Sequence, residues 1–280
     1  MKNVAVMTNN KSTVSEKLIK VLCVILAIVL GLGSVLIISR LFGGSLKAVF
    51  PNYWARQFVD QLIMAIIGLA LIFIFRKQKV LKFTAEGMKE GLICGAAWTV
   101  MLLLAVANLF LNQMSEPGLH LISWWEISFL VLQCLLIGLF EEGVFRGVAT
   151  ELSLELFGDE KKSNARLAIA FTSFLFGAVH LINAFQPEVS LKAASMQGIA
   201  AFGGGLVYGA IFYRSQRCIW PCVIWHALQD LAAFTAGGSL FGVTQEEAIG
   251  NTGFGQAALS ILFIIWFFYL MREQETETVQ

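Results

Sequence analysis

Ionisable side chains interrupt otherwise apolar stretches of this sequence at three places. In chain order they are Glu141, Glu142 and Arg146, then His180, then His226 and Asp230. An unpaired charge inside a membrane is energetically costly, so ionisable residues within apolar spans are functional candidates by default. Carboxylates together with imidazoles are the groups most often used for general acid–base catalysis. Each place alone could be structural, as an ion pair, a core histidine or a hydrogen bond between helices, but three of them in a chain otherwise without intramembrane charge are hard to explain separately as packing.

Helical spacing predicts which of these side chains are neighbours. Residues four apart lie on one helix face, which pairs Glu142 with Arg146 and His226 with Asp230. Glu141 points about 100° away from Glu142 around a helix. One acid can therefore be neutralised by Arg146 while the other faces a cavity.

We expect Glu141, His180, His226 and Asp230 to converge on one water-filled pocket. Glu141 would take a proton from a water that His180 also holds, and the resulting hydroxide would attack a peptide carbonyl. The tetrahedral oxyanion needs donors, and His226 can supply one. Asp230 would fix the tautomer of His226 or, if protonated, donate itself. The scheme needs no cofactor.

The composition indicates what kind of scaffold must hold these groups. Of the 280 residues, 57% are hydrophobic and 14% are charged, and the mean hydropathy is +0.73. Soluble domains average about 25% charged residues. Long unbroken apolar runs favour helices over a transmembrane β-barrel. A net charge of +1 gives no sign of a nucleic-acid partner.

Eight apolar segments are candidates for membrane-spanning helices, each of which needs about 20 residues. They are Val21–Ser39, Gln61–Phe75, Gly91–Ser115, Pro117–Phe140, Leu167–Pro187, Ala193–Tyr213, Cys218–Phe241 and Ala248–Met271. The sequence thus predicts an all-α polytopic membrane protein with about eight transmembrane helices enclosing an intramembrane polar cavity. We expect a single transmembrane domain over 1–280, a motif-bearing catalytic core over 126–230 and a polar tail over 273–280.

Basic residues predict the orientation. With a cytoplasmic N-terminus, eight spans return the C-terminus to the cytoplasm. The cytoplasmic segments then hold Lys2, Lys11, Lys17, Lys20, Arg76, Lys77, Lys79, Lys82, Lys89, Lys161, Lys162, Arg166, Arg214, Arg217 and Arg272. Only Arg40, Lys47, Arg56 and Lys192 remain outside, apart from Arg146 in the candidate site. This positive-inside bias predicts an integral membrane protein with both termini in the cytoplasm.

Two further features concern packing. Glycine pairs four apart, Gly91 with Gly95 and Gly205 with Gly209, let helix backbones approach closely in lipid. At 1.5 Å per residue, His180 and His226 lie deep in the membrane. Glu141 reaches their depth only if the fourth helix continues past its motif toward Phe157, so we expect a long, tilted or bent fourth helix.

The three motifs together resemble a known family. Glu141, Glu142 and Arg146 match Glu-Glu-x-x-x-Arg, Phe176 and His180 match Phe-x-x-x-His, and His226 and Asp230 match His-x-x-x-Asn/Asp. Their order and host spans are similar to those of the CAAX-processing and bacteriocin-processing (CPBP) intramembrane glutamic proteases. That group contains the type II CAAX prenyl endopeptidases and the bacterial Abi proteins.

The resemblance implies a role for each matched position. Glu141 would activate water with His180 as its partner, and His226 and Asp230 would form the oxyanion site. Glu142 and Arg146 would organise the helix, and Phe176 would pack beneath His180. The better-studied CAAX enzymes have asparagine where this chain has Asp230, and an ionised aspartate would repel an oxyanion.

The family also implies a setting for the reaction. Its members cut prenylated CAAX proteins or have other substrates, and some are linked to bacteriocin maturation or immunity. The expected partners are membrane lipid and a peptide or lipidated protein substrate. The expected location is the bacterial plasma membrane.

Three other readings of the residues stay open. Glu, His and Asp are acceptable zinc ligands, which would make the protein a metal-dependent intramembrane hydrolase. A proton-coupled transporter would use Glu141 and the histidines as a relay, but it would usually show inverted repeats. A non-catalytic scaffold or immunity protein would retain the same fold without turnover.

Overall fold

The computed structural model describes residues 14–115 and 120–272. The described part of the chain is built from α-helices joined by short turns and three 3₁₀ segments, with no β-strand among these residues. The helices are α1 (Val14–Val49), α2 (Tyr53–Ile74), α3 (Ala85–Gly95), α4 (Trp98–Ser115), α5 (Trp124–Glu142), α6 (Glu151–Phe157), α7 (Lys162–Val179), α8 (Leu191–Arg214), α9 (Trp220–Ala236), α10 (Gln245–Gly250) and α11 (Phe254–Leu270).

This architecture confirms the all-α polytopic membrane fold. In the described residues, five helical stretches are long and apolar enough to cross a membrane, and the bent pair α3–α4 makes up to six. Helices α9 and α11 have 17 residues each and occupy the seventh and eighth predicted segments. The predicted start at Pro117, the polar tail over 273–280, and Lys2 and Lys11 lie outside the described residues.

The first and third predicted segments differ from the helices observed in length and in straightness. Helix α1 runs over Val14–Val49 and so extends well beyond the apolar run Val21–Ser39. The predicted span Gly91–Ser115 is bent by 52° between α3 and α4. The indole N–H of Trp225 donates to the Gly91 carbonyl oxygen at 3.2 Å. A side chain inserted into the helical hydrogen-bond ladder is an ordinary cause of such a bend.

The fourth predicted span is long, as expected. Helix α5 continues through a π-helical segment, Gly143–Thr150, into α6, and the stretch Trp124–Phe157 is helical over 34 residues. Wide π turns within α-helices occur frequently at functional sites. The helix therefore carries the first motif past its apolar half and on toward the end where basic residues gather.

That basic end of the molecule is held together by ion pairs between segments distant in sequence. Glu155 at the end of α6 pairs with Lys20 of α1 and with Lys77 beyond α2. Arg217, after α8, pairs with Glu151 and with Asp159. The segments predicted to be cytoplasmic thus meet at one end of the helix bundle.

Glycines set the closest approach of α8 to its neighbour. A Cβ built on Gly209 would lie 2.4 Å from a side-chain carbon of Ile169 in α7, and one on Gly205 would lie 3.1 Å from the Cβ of Ser173. These contacts confirm the predicted packing role of the glycine pair. They also bring the middle of α8 close to the polar residues of the motifs.

Candidate active site

Glu142 lies at the buried centre of the polar cluster. Its side chain is fully buried, and its Oε1 accepts a hydrogen bond from Nη1 of Arg146 at 3.0 Å. The same oxygen lies 2.7 Å from Nδ1 of His226 on α9. A carboxylate paired with arginine only accepts, so His226 donates through Nδ1. This contact joins the first and third motifs.

The Arg146 side chain is buried against two aromatic rings and a backbone oxygen. Its Nη2 donates to the Gly205 carbonyl of α8 at 3.0 Å. Its guanidinium carbon lies 4.7 Å from the ring centre of Phe176 and 5.3 Å from that of Tyr208. Cation–π contacts of this kind stabilise a desolvated guanidinium. Arg146 therefore ties α5, α7 and α8 together around Glu142.

The other ring nitrogen of His226 faces the more exposed side of the cluster. Its Nε2 lies 3.4 Å from Oε2 of Glu141 and 3.6 Å from Oδ2 of Asp230. The Glu141 and Asp230 side chains are 24% and 18% exposed, whereas His226 is only 5% exposed. Glu142, rather than Asp230, holds Nδ1 and so sets the tautomer of His226.

His180 lies at the end of α7, where a 3₁₀ segment, His180–Phe185, begins. Its Nδ1 is 2.7 Å from the Phe176 carbonyl oxygen. Because a carbonyl can only accept, Nδ1 carries the hydrogen, and Nε2 of the neutral ring is left as an acceptor. The rings of Phe176 and His180 meet edge to face at 4.9 Å.

Two aromatic rings enclose His226, and the sequence analysis missed one of them. The Tyr208 ring stacks on the imidazole, with 5.2 Å between centroids and 7° between planes. The Phe176 ring meets the imidazole edge-on at 6.1 Å. The Tyr208 hydroxyl donates to the side-chain oxygen of Gln229. The one signal for Tyr208 was its place within the glycine-rich segment of α8.

Gly138 lets α5 approach α9 closely enough to join these residues. A Cβ built there would lie 2.9 Å from the Val223 carbonyl oxygen and 3.4 Å from the Cβ of His226. We expect Gly138→Ala to lower the free energy of unfolding by about 1–3 kcal/mol, the usual cost of overpacking. Thermal unfolding in detergent measures this. At Gly33 no described atom lies within 4 Å of the added Cβ, so Gly33→Ala is the matched control.

A melting temperature for Gly138→Ala equal to that of Gly33→Ala would contradict this close packing of α5 on α9.

The structure thus brings Glu141, Glu142, Arg146, His226 and Asp230 into one connected cluster. His180 is linked to it through Phe176, which contacts both imidazole rings. Among residues 14–115 and 120–272, no group of three or more His, Cys, Asp or Glu side chains is arranged to hold a metal ion.

The chain matches a protein-family model over its motif-bearing region. Residues 123–232 match the family model described as type II CAAX prenyl endopeptidase Rce1-like. This region spans all three motifs, and the match confirms the resemblance that they predicted. No curated protein and no solved structure matches the chain significantly.

Proposed function

Because this chain resembles the type II CAAX prenyl endopeptidases across its motif-bearing core, we propose that it is an intramembrane endopeptidase that uses a water activated by Glu141. The matched family model describes endopeptidases, which supports peptidase activity for this chain. The long apolar helices make the chain an integral membrane protein. The observation that carries the proposal is the 3.4 Å approach of Glu141 Oε2 to His226 Nε2 on the partly exposed side of the cluster.

The first step is water activation. The Nε2 of His180 accepts one hydrogen of the water, because Nδ1 is already bonded to the Phe176 carbonyl. Glu141 removes the other proton as general base. The water oxygen then forms a bond to the carbonyl carbon of the scissile peptide, and the carbonyl π electrons move onto its oxygen.

The second step is collapse of the tetrahedral intermediate. A lone pair on Nε2 of His226 would face two carboxylates, so a proton on that nitrogen is electrostatically favoured. The Nε2–H then donates to the developing oxyanion. When the oxyanion re-forms the carbonyl, the C–N bond breaks and Glu141 returns its proton to the leaving nitrogen. The direct products are an amine and a carboxylic acid that still carries the second hydrogen of the water; the acid then loses that proton to solvent and becomes a carboxylate. The mechanism needs no cofactor.

The buried Glu142–Arg146 pair fixes the orientation of the His226 ring. Glu142 holds Nδ1 of His226, and Arg146 holds Glu142, so Nε2 is aimed at the reacting side. Preorganised donors of this kind need no reorientation during the reaction. In this proposal Glu142, Arg146 and Phe176 are positioning residues, while Glu141, His180, His226 and Asp230 contact the reacting atoms.

The proposed substrate is a peptide segment or a lipidated protein reached within the plasma membrane of a bacterium, with both termini of the enzyme in the cytoplasm. A direct test incubates the purified full chain with a peptide panel that includes farnesylated and unfarnesylated CAAX sequences. Mass spectrometry of the products identifies the cleaved bond. We expect endoproteolytic cleavage of at least one member of the panel in the presence of a zinc chelator.

Two results of the same experiment would favour the alternatives. Activity abolished by the chelator and restored by zinc would indicate a metal-dependent hydrolase. A folded protein that cleaves no peptide in any membrane environment would favour a non-catalytic scaffold or immunity protein.

Asp230→Asn tests whether position 230 serves the oxyanion. An amide donates a hydrogen bond to the oxyanion without carrying a charge that repels it, so we expect kcat to be retained or raised. The variant is compared with the wild-type chain on the same cleaved peptide. Complete loss of turnover in a folded variant would instead assign Asp230 to orienting His226 through its carboxylate.

A further inference from the structure

A cavity of about 420 Å³ lies at the basic end of the molecule, away from the motif residues. Its walls come from α3, from the start of α7 and from the ends of α8 and α11. Five charged side chains line it: Glu86, Glu90, Lys162, Arg214 and Arg272. Three cations and two acids therefore line this one cavity.

Arg214 joins two walls of this cavity, and its charge is paired with a carboxylate there. Its Nη2 pairs with Glu90 of α3, and its Nη1 donates to the Leu270 carbonyl at the end of α11 at 3.3 Å. The 52° bend between α3 and α4 directs α3 away from the line of α4. Arg214 and Glu90 therefore form a neutral pair within the cavity.

The remaining charges are two cations and one acid. Lys162 donates one of its three ammonium hydrogens to the Arg272 carbonyl oxygen at 2.8 Å. The Arg272 guanidinium carbon lies 4.1 Å from the ring centre of Tyr269. Glu86 is exposed on the α3 wall. Among the described residues, the unpaired charges that line the cavity are therefore two cations, Lys162 and Arg272, and one anion, Glu86.

The position of the cavity points to a lipid as the source of its ligand. The excess of basic residues at this end predicts that it lies at the cytoplasmic interface. Two of the helices that form the cavity also carry exposed apolar side chains: Ile93, which follows Glu86 and Glu90 on one face of α3, is 62% exposed, and Phe268 of α11 is 55% exposed. Basic pockets between helices at the cytoplasmic side can bind the phosphates of lipid headgroups.

We propose that this cavity binds the headgroup of a phosphoethanolamine lipid. The phosphate lies between Lys162 and Arg272, the ammonium faces Glu86, and the acyl chains follow the apolar surface along α11. The charge pattern matches a zwitterion: two cations face the phosphate and one carboxylate faces the ammonium.

The test measures binding of dihexanoyl phosphatidylethanolamine to the purified full chain in detergent by native mass spectrometry. We expect the double variant Lys162→Ala/Arg272→Ala to bind at least tenfold more weakly than the wild type. Lys89→Ala is the matched control, because Lys89 is an exposed cation of α3 that does not line the cavity. Lys162→Gln/Arg272→Gln is the second variant, and circular dichroism verifies that each protein is folded.

Other probes separate the possible sources of binding. Dihexanoylglycerol, which lacks the phosphate, should bind the wild type at least tenfold more weakly than dihexanoyl phosphatidylethanolamine does. The Glu86→Gln variant should lose the preference for phosphatidylethanolamine over phosphatidylglycerol. Soluble glycerophosphoethanolamine should compete only weakly, since it lacks the acyl chains. Equal binding by wild type and both double variants, or equal binding of the phosphate-free lipid, would overturn the proposal. Strong binding of the soluble headgroup alone would overturn its assignment to a lipid.

Discussion

Glu141→Gln is expected to reduce peptide-bond cleavage by about 10²–10⁴-fold, the usual contribution of a general base, while the protein stays folded. The amide cannot take a proton from water. Glu141 is 24% exposed, and its closest charged partner is His226 Nε2 at 3.4 Å. Removing its charge therefore leaves the buried Glu142–Arg146 pair intact. Single-turnover cleavage of the peptide identified for the wild type measures the loss.

A matched variant separates loss of the base from loss of a surface charge. Glu155→Gln makes the same chemical change on the same long helical stretch, but Glu155 pairs with Lys20 and Lys77 at the basic end of the molecule. Its turnover should equal that of the wild type. A folded Glu141→Gln protein with normal turnover would exclude Glu141 as the base.

Glu142→Ala is expected to act on stability and to lower the free energy of unfolding by about 3–5 kcal/mol, the range for breaking a buried ion pair. The change removes the acceptor from both Nη1 of Arg146 and Nδ1 of His226. Arg146 is nearly fully buried and cannot reach water for compensation. Unfolding in detergent, followed by circular dichroism, measures the effect.

A double-mutant cycle distinguishes the pair from a general packing defect. The cycle compares Glu142→Met and Arg146→Met with the double variant Glu142→Met/Arg146→Met, which removes both charges, so the penalty of an isolated buried charge disappears. We expect the double variant to be more stable than the sum of the single changes, by about 1–3 kcal/mol. Strictly additive effects would show that Glu142 and Arg146 do not depend on each other.

Local spacing was sufficient for the contacts that lie within one helix. The Glu142–Arg146 pair follows from residues four apart on one face, and the structure has it at 3.0 Å. The same rule also places Asp230 beside His226, although Oδ2 lies 3.6 Å from Nε2, which is longer than a good hydrogen bond. A nearer partner from another helix, Glu142, occupies Nδ1 of His226 instead.

Contacts between helices depend on how each helix is rotated, and the sequence carries little information about that rotation. The stacking of Tyr208 on His226 requires α8 and α9 to present particular faces to each other. The close approach of α5 to α9 at Gly138 and the insertion of Trp225 against Gly91 are set by the packing of whole helices.

The amino-acid sequence by itself determined the membrane-embedded helical class, the long fourth span and the identity of the three motifs, because hydropathy and helical periodicity are local properties. Only the tertiary structure decided that Glu142 holds His226, that Glu141 and Asp230 occupy the more exposed side, and that His180 ends its helix. The contacts of Glu141 and Glu142 with His226 join side chains from helices far apart in the chain, whose distances are set by close packing rather than by spacing along any one helix.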